Sequence, residues 1–219
     1  MKKRILNLLI ILTIVILAGL YFAIYIYKPA NVGNTAQEAT QKTGRVVLKT
    51  IHEEKIKGGE IIFFIKNNLD YEKADLAAGY VKKTIWGWKW IYGGEHGSIS
   101  SMCSNNGFSA QFFPAVEGTP FPFYFGAINN PEIENIKVVE LQRNIISDAK
   151  ISGSGNLRVW YIFTGDLKGS KFDIKAYSKE SKELSIINDD ISPYSSDQKP
   201  MKQQSATEYL KNRFGDSAK

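Results

Sequence analysis

Residues 82–97 read KKTIWGWKWIYGGEHG, with Trp86, Trp88, Trp90 and Tyr92 at every second position. Side chains two apart share one face of a β-strand, so this period marks strand and not helix. On one continuous strand over residues 80–92, Tyr80 and these four rings share a face, while Val81, Lys83, Ile85, Lys89 and Ile91 take the other. Gly87 is the expected bulge or bend, because a glycine inside a strand offers no side chain to pack. A buried aromatic removes roughly 150–250 Å² from water, and at about 25 cal/mol per Å² several of them carry much of a domain's stability. With two lysines opposite, the ring face is read as part of a core. The competing reading is an exposed platform, Trp86, Trp88 and Trp90, that stacks on sugar rings or rests at the bilayer interface.

The same period extends outward. Residues 46–56 are β-prone, Gly58-Gly59 reads as a hairpin turn, and residues 60–65 (EIIFFI) are apolar on both faces, as in a central strand. Further strands are read at residues 108–113, 121–128, 133–141, 157–164, 172–176 and 184–187. Pro120 and Pro122 lack an N–H and point to an edge strand or a bulge, and where such an edge meets the Trp row, Tyr124 and that row would line a groove for a small ligand. Residues 70–78 are the one helix candidate in this region. No helices alternate with the strands, which argues against a parallel α/β fold. The prediction is a mostly β protein whose residues 45–192 form one antiparallel β-sandwich or barrel-like domain.

What precedes that domain sets its expected address. Lys2, Lys3 and Arg4 lead into residues 5–27, 23 positions without a charge, which at about 1.5 Å each reach roughly 34 Å, enough for a hydrocarbon core of about 30 Å. Residues 1–29 are therefore a cytoplasmic basic tip and a transmembrane signal-anchor, and the positive-inside bias puts the domain outside the cytoplasm. The lipid bilayer is the expected partner of residues 5–27. Leu17-Ala18-Gly19-Leu20 has the outline of a lipoprotein box, but Leu20 stands where a cysteine would carry the lipid. Residues 30–44 read as a flexible spacer, and residues 193–219 as a polar tail with a short helix over 205–214.

Four of the 28 basic residues precede position 29, leaving 24 against 22 acidic ones, so the domain is close to neutral and nucleic acid is not an expected partner. One cysteine, Cys103, excludes an intramolecular disulfide and reads as a small buried side chain. Two histidines and one cysteine do not make the common zinc sets, and His52-Glu53-Glu54 lacks the second histidine of HExxH. No cofactor or metal is expected. Asp189-Asp190 reads as a solvated strand end rather than a cation site. The constellation that could carry acid–base chemistry is Glu95 and His96, with Ser98, Ser100, Ser101 or Cys103 as a nucleophile close behind.

The runs GYVKKTIWGWKWIYGG, FYFGAI, IENIKVVE and FDIKAYSKESKEL resemble small membrane-anchored or lipoprotein-like proteins exported by Gram-positive spore-forming bacteria. The likeness covers the anchor and about residues 60–190, and departs from the lipoprotein members at Leu20. It implies a cell-envelope location and no particular activity. The expected function is a single-pass membrane-anchored protein whose extracytoplasmic β domain binds without catalysis, its partner an envelope protein, a wall polymer or a membrane component. The alternatives are an envelope hydrolase or transferase built on His96 and Glu95, and a structural or assembly subunit at the membrane surface.

Overall fold

The computed structural model describes residues 2–26, 28–70, 73–155, 157–167, 169–191 and 200–201. It opens with α1 (Lys2–Ile26), followed by a two-residue strand β1 (Val32–Gly33) and a short helix α2 (Ala36–Gln41). β2 (Lys49–Ile56), β3 (Gly59–Lys66), β4 (Asp75–Thr84) and β5 (Gly87–Ser98) then form an antiparallel meander. With β1 on its far edge, this first sheet has the order β1-β5-β4-β3-β2. After α3 (Ile99–Cys103) come β6 (Gln111–Phe113) and β7 (Phe123–Ile128), then β8 (Asn135–Glu140) and β9 (Ile145–Asp148). β10 (Lys150–Ser154), β11 (Leu157–Phe163), β12 (Lys171–Tyr177) and β13 (Glu183–Asp190) complete the set. The middle sheet runs β10-β11-β7-β6 and the third β13-β12-β8-β9, with antiparallel pairing throughout.

The apolar alternation of the strands decides the stacking. In β7, Phe123, Phe125 and Ala127 point toward the first sheet, while Tyr124 and Ile128 point toward the third. In β11, Val159 and Tyr161 take the first side, Trp160 and Ile162 the second. A middle sheet with both faces apolar must be covered on both, so the mostly β antiparallel class takes the form of three layers. The core between first and middle sheets is aromatic: Phe63 meets Tyr161, Phe125 and Phe123 at centroid distances of 5.0, 6.0 and 6.4 Å. The third sheet contributes Ile136, Val138, Phe172, Ile174 and Ala176 to the second core. There Trp160 is wholly buried, with its indole N–H donated to the Ser109 carbonyl at 2.7 Å.

The outer face of the first sheet is also covered, and here the expected spacer is corrected. Residues 32–41 are packed structure: Val32 and Gly33 pair with Lys89 and Trp88, and Ala36, Ala39 and Thr40 are buried. Thr35 caps α2 by accepting from the Glu38 N–H, while Glu38 accepts the Asn34 N–H at 2.8 Å in return. Small side chains let this helix lie close over Ile62, Phe64, Ala77 and Val81. Residues 75–78 of the expected helix belong to β4, where Leu76, Ala77 and Ala78 are buried; residues 71–72 lie outside the described set. The first hairpin turn sits at Lys57-Gly58, one residue earlier than expected, with Gly58 at φ +85°. The proline-rich stretch leads into β7, whose first residue is Phe123, so Pro120 and Pro122 cost the ladder nothing. β7 is accordingly interior, between β6 and β11, and not an edge. The expected tail helix lies outside the described residues.

Candidate functional site

The aromatic stretch is a hairpin, not one strand. β4 ends at Thr84 and β5 begins at Gly87, so Ile85 and Trp86 form the turn. The register slips twice along β5: Val81 faces Trp90 while Tyr80 faces Tyr92, and Ala77 faces Glu95 while Leu76 faces Gly97. Ile91 and His96 are the extra residues. The expected bulge at Gly87 is therefore replaced by two further along, each reversing which face the following side chains take. Trp90 points outward, beneath α2, and Tyr92 points into the core against Phe113 and Phe121, at 5.8 Å from each.

The Trp row thus has no single face and no single role. Trp90 lies flat across Gly79 and Gly93, where a Cβ on Gly79 would come within 2.0 Å of the indole. The Arg45 guanidinium caps its other side at 4.6 Å from the ring centroid. Trp88 is half-buried beside it, with the Lys83 ammonium 5.8 Å from its ring centroid. Trp86 is half-buried in the turn, and its indole N–H meets no acceptor. Tyr124, the fourth ligand-binding candidate, is wholly buried on the opposite side of the middle sheet from the Trp hairpin. Its hydroxyl donates to Asp189 Oδ2 at 2.6 Å, and burial, then the Asp189 carboxylate, push its pKa up. Asp189 is thereby a buried tyrosine's acceptor.

Both acid–base candidates lie on β5, where adjacent side chains take opposite faces. Glu95 pairs in register with Ala77 on the outer face and forms an ion pair with Lys66. His96 turns inward, 5% exposed, with its ring 5.7 Å from that of Phe125. Its Nδ1 lies 3.3 Å from Gln111 Oε1 on β6, and its Nε2 is buried without a partner. Burial holds the imidazole pKa below its ordinary value of 6.5, partly opposed by the Gln111 contact. Cys103 is buried, its thiol 3.6 Å from the Ala127 carbonyl, and burial pushes the thiol pKa up. The Ser98 and Ser100 hydroxyls bond to one another at 3.3 Å. Glu95, His96 and Cys103 make no shared contact, so these residues do not assemble into a relay.

Sequence reasoning missed a cluster around the other histidine. His52 stands on β2, the edge of the first sheet, facing β10 and β11 of the middle one. Ser152 Oγ lies 3.0 Å from its Nδ1, the Tyr161 hydroxyl 3.2 Å from its Nε2, and Glu54 Oε2 3.5 Å from the same nitrogen. Tyr161 donates to Glu54 Oε2 at 2.8 Å and Lys150 to Glu54 Oε1 at 2.5 Å. One neutral tautomer satisfies the whole chain: Ser152 donates to Nδ1, Nε2–H donates to Tyr161, and Tyr161 donates to Glu54. Burial opposes the charge on Glu54, but Lys150, Tyr161 and His52 together hold its carboxyl below the ordinary range. A hydroxyl bonded to an imidazole is a pairing that base-activated nucleophiles use. Here the same bonds join two sheet edges. The alternation of His52 and Glu54 on one strand face was a legible signal; Ser152 and Tyr161, 100 residues or more away along the chain, were not.

One polar hollow of about 470 Å³ opens beside the start of β8 and the β12–β13 turn, lined by Glu134, Asn135, Lys137, Tyr177, Lys179 and Ser181 among others. The Lys137 ammonium sits 5.8 Å from the Tyr177 ring centroid, and Asn135 Oδ1 is buried without a donor. Among the described residues no group of three or more His, Cys, Asp or Glu is arranged to hold a metal ion. Fold and sites together define a three-layer antiparallel β body behind an apolar N-terminal helix. No protein-family model matches the chain, and neither does any curated protein or solved structure.

Proposed function

We propose that the chain is a single-pass membrane protein, N-terminus in the cytoplasm, whose β domain lies outside and binds an envelope protein or a wall polymer without catalysing a reaction. The observation that carries this reading is α1. Behind Lys3 and Arg4 it is apolar, and none of the 20 residues Lys3–Phe22 is buried by the rest of the protein. At about 1.5 Å per residue these positions reach roughly 30 Å, the thickness of a hydrocarbon core. An apolar helix left uncovered by its own fold needs a cover, and a bilayer supplies one. The orientation rests on Lys2, Lys3 and Arg4 ahead of the span. For binding, the hollow beside Tyr177 offers a ring, amines and a carboxylate, a set suited to a hydroxyl-rich ligand.

The test uses the full chain in intact cells. A membrane-impermeant maleimide is expected to label Ile146→Cys, an exposed site on β9, before permeabilisation; labelling only afterwards overturns the topology. A photo-crosslinking residue at Lys179 is expected to capture wall polymer or an envelope protein, and silence there overturns the binding site. A fluorophosphonate probe is expected to leave Ser152 unmodified. Stoichiometric labelling would convert the His52 cluster into an active site.

A further inference from the structure

The turn between β4 and β5 presents Ile85 75% exposed, the largest exposure of any hydrophobic side chain described outside α1. Trp86 beside it is half-buried, with its indole nitrogen shielded from solvent. Lys82, Lys83 and Lys89 flank this tip with exposed side chains, and Lys57 in the neighbouring β2–β3 turn is exposed too. The two turns are joined by a hydrogen bond from the Lys83 N–H to the Gly58 carbonyl at 3.0 Å. The result is one end of the first sheet where four lysines surround an isoleucine and a tryptophan. Of the acidic groups toward this end, Glu38 is held by Lys42 and the Asn34 N–H, Glu60 is buried near Lys55 and Lys83, and Glu53 is exposed.

The anchor leaves the membrane beside this tip. Two residue steps, at most about 7 Å of extended chain, lead from Ile26 at the end of α1 to Lys28. Lys28 donates to Asn34 Oδ1 at 2.9 Å, and the preceding Gly33 pairs with Trp88 in β5. Gly33 is in contact with Gly87 at the tip, since a Cβ on Gly87 would come 2.3 Å from its carbonyl. Residues 28–34 are held further by the Val32 N–H to Pro29 carbonyl bond at 3.1 Å and by Lys42 on the Val32 carbonyl at 2.9 Å. Among the described residues, 28–34 are thus tied to the domain. Lysines ringing an apolar point with tryptophan beside it suit an interface of anionic headgroups over acyl chains.

We propose that the β4–β5 tip seats in the headgroup layer of the bilayer that α1 spans, Ile85 and Trp86 entering it and Lys28, Lys57, Lys82, Lys83 and Lys89 contacting anionic lipid. The inference rests on the reading of α1 as a membrane anchor.

The experiment reconstitutes the full chain into phosphatidylglycerol vesicles carrying a nitroxide-labelled lipid. An environment-sensitive fluorophore is attached to Ile85→Cys or, as a control, to Ile146→Cys. Cys103 stays in place because it is 1% exposed and closed to the reagent. Strong nitroxide quenching and a blue-shifted emission are expected at position 85 and neither at position 146. Joint Lys82→Glu, Lys83→Glu and Lys89→Glu substitution is expected to return position 85 to its aqueous emission, as is replacing the vesicles with phosphatidylcholine. A chain that co-floats with vesicles while position 85 remains as wet as position 146 overturns the seating and leaves the anchor standing. Failure to co-float overturns both. Quenching unchanged by the three charge reversals overturns the lysine contacts.

Discussion

Two seams join the first sheet to the middle one, and each carries one of the two histidines. At the β2 edge, His52 has both ring nitrogens occupied, by Ser152 and by Tyr161 with Glu54 behind it, and Lys150 closes the chain from solvent. At the β5 edge, His96 lies against Phe125 with Gln111 on one nitrogen and nothing on the other. The difference teaches that a histidine's place in a fold is set by what the opposite strand offers. An edge near water can supply charged partners and use the ring as a clasp, whereas an interior bulge turns the ring into a core residue with an unmet polar atom.

The comparison can be broken by substitution. Tyr161→Ala removes a ring that packs on Phe63 and bridges Glu54 to His52. It is expected to cost about 3–5 kcal/mol in urea unfolding. Gln111→Leu leaves both His96 nitrogens without a partner in the core and is expected to cost about 1–3 kcal/mol. Adding His96→Leu to that variant should recover most of the loss, since removing both partners of a buried polar pair is close to neutral. A cost that persists would show that His96 fills a space only an imidazole fits. Tyr161→Phe keeps the ring and should cost about 1 kcal/mol. Lys150→Ala removes an ion pair whose lysine is 65% exposed and should cost less than about 1 kcal/mol, with salt reducing it further.

Acidity separates the seams without mutation. His96 is held below its ordinary value of 6.5, so between that pH and its folded value the unfolded chain binds a proton that the folded chain does not. Stability is then full above about pH 6.5 and falls as pH drops through that window. Glu54, held below its ordinary 4.5, loses its contribution only at lower pH, as the solution is taken down toward its folded value. Urea midpoints measured across pH should show the first loss disappear in His96→Leu and the second in Glu54→Gln.

Much of the architecture was legible because period and turns are local. EIIFFI announced β3, and the alternation in residues 157–164 announced β11. The third layer was also written there, since β7 and β11 are apolar on both faces, but two-faced strands do not say which distant strands will cover them. The helix α2 escaped notice because Ala36, Ala39 and Thr40 make a buried stripe without one large apolar residue. The bulges at Ile91 and His96 escaped for a different reason. A register slip is decided by hydrogen bonding to β4, and no residue in KKTIWGWKWIYGGEHG marks where it falls. The first slip sent Trp90 outward and Tyr92 inward, while Glu95 and His96, neighbours on one strand, are parted by simple alternation.

Because the middle sheet meets water on neither broad side, the body cannot be trimmed from its C-terminal end and survive in part. Cutting the chain before β12 would strip the cover from Tyr124, Trp160 and Ile162 while leaving the strands that carry them intact. Shortened forms ending there should precipitate instead of behaving as a smaller soluble unit. The first stable fragment in that direction is the whole sheet stack.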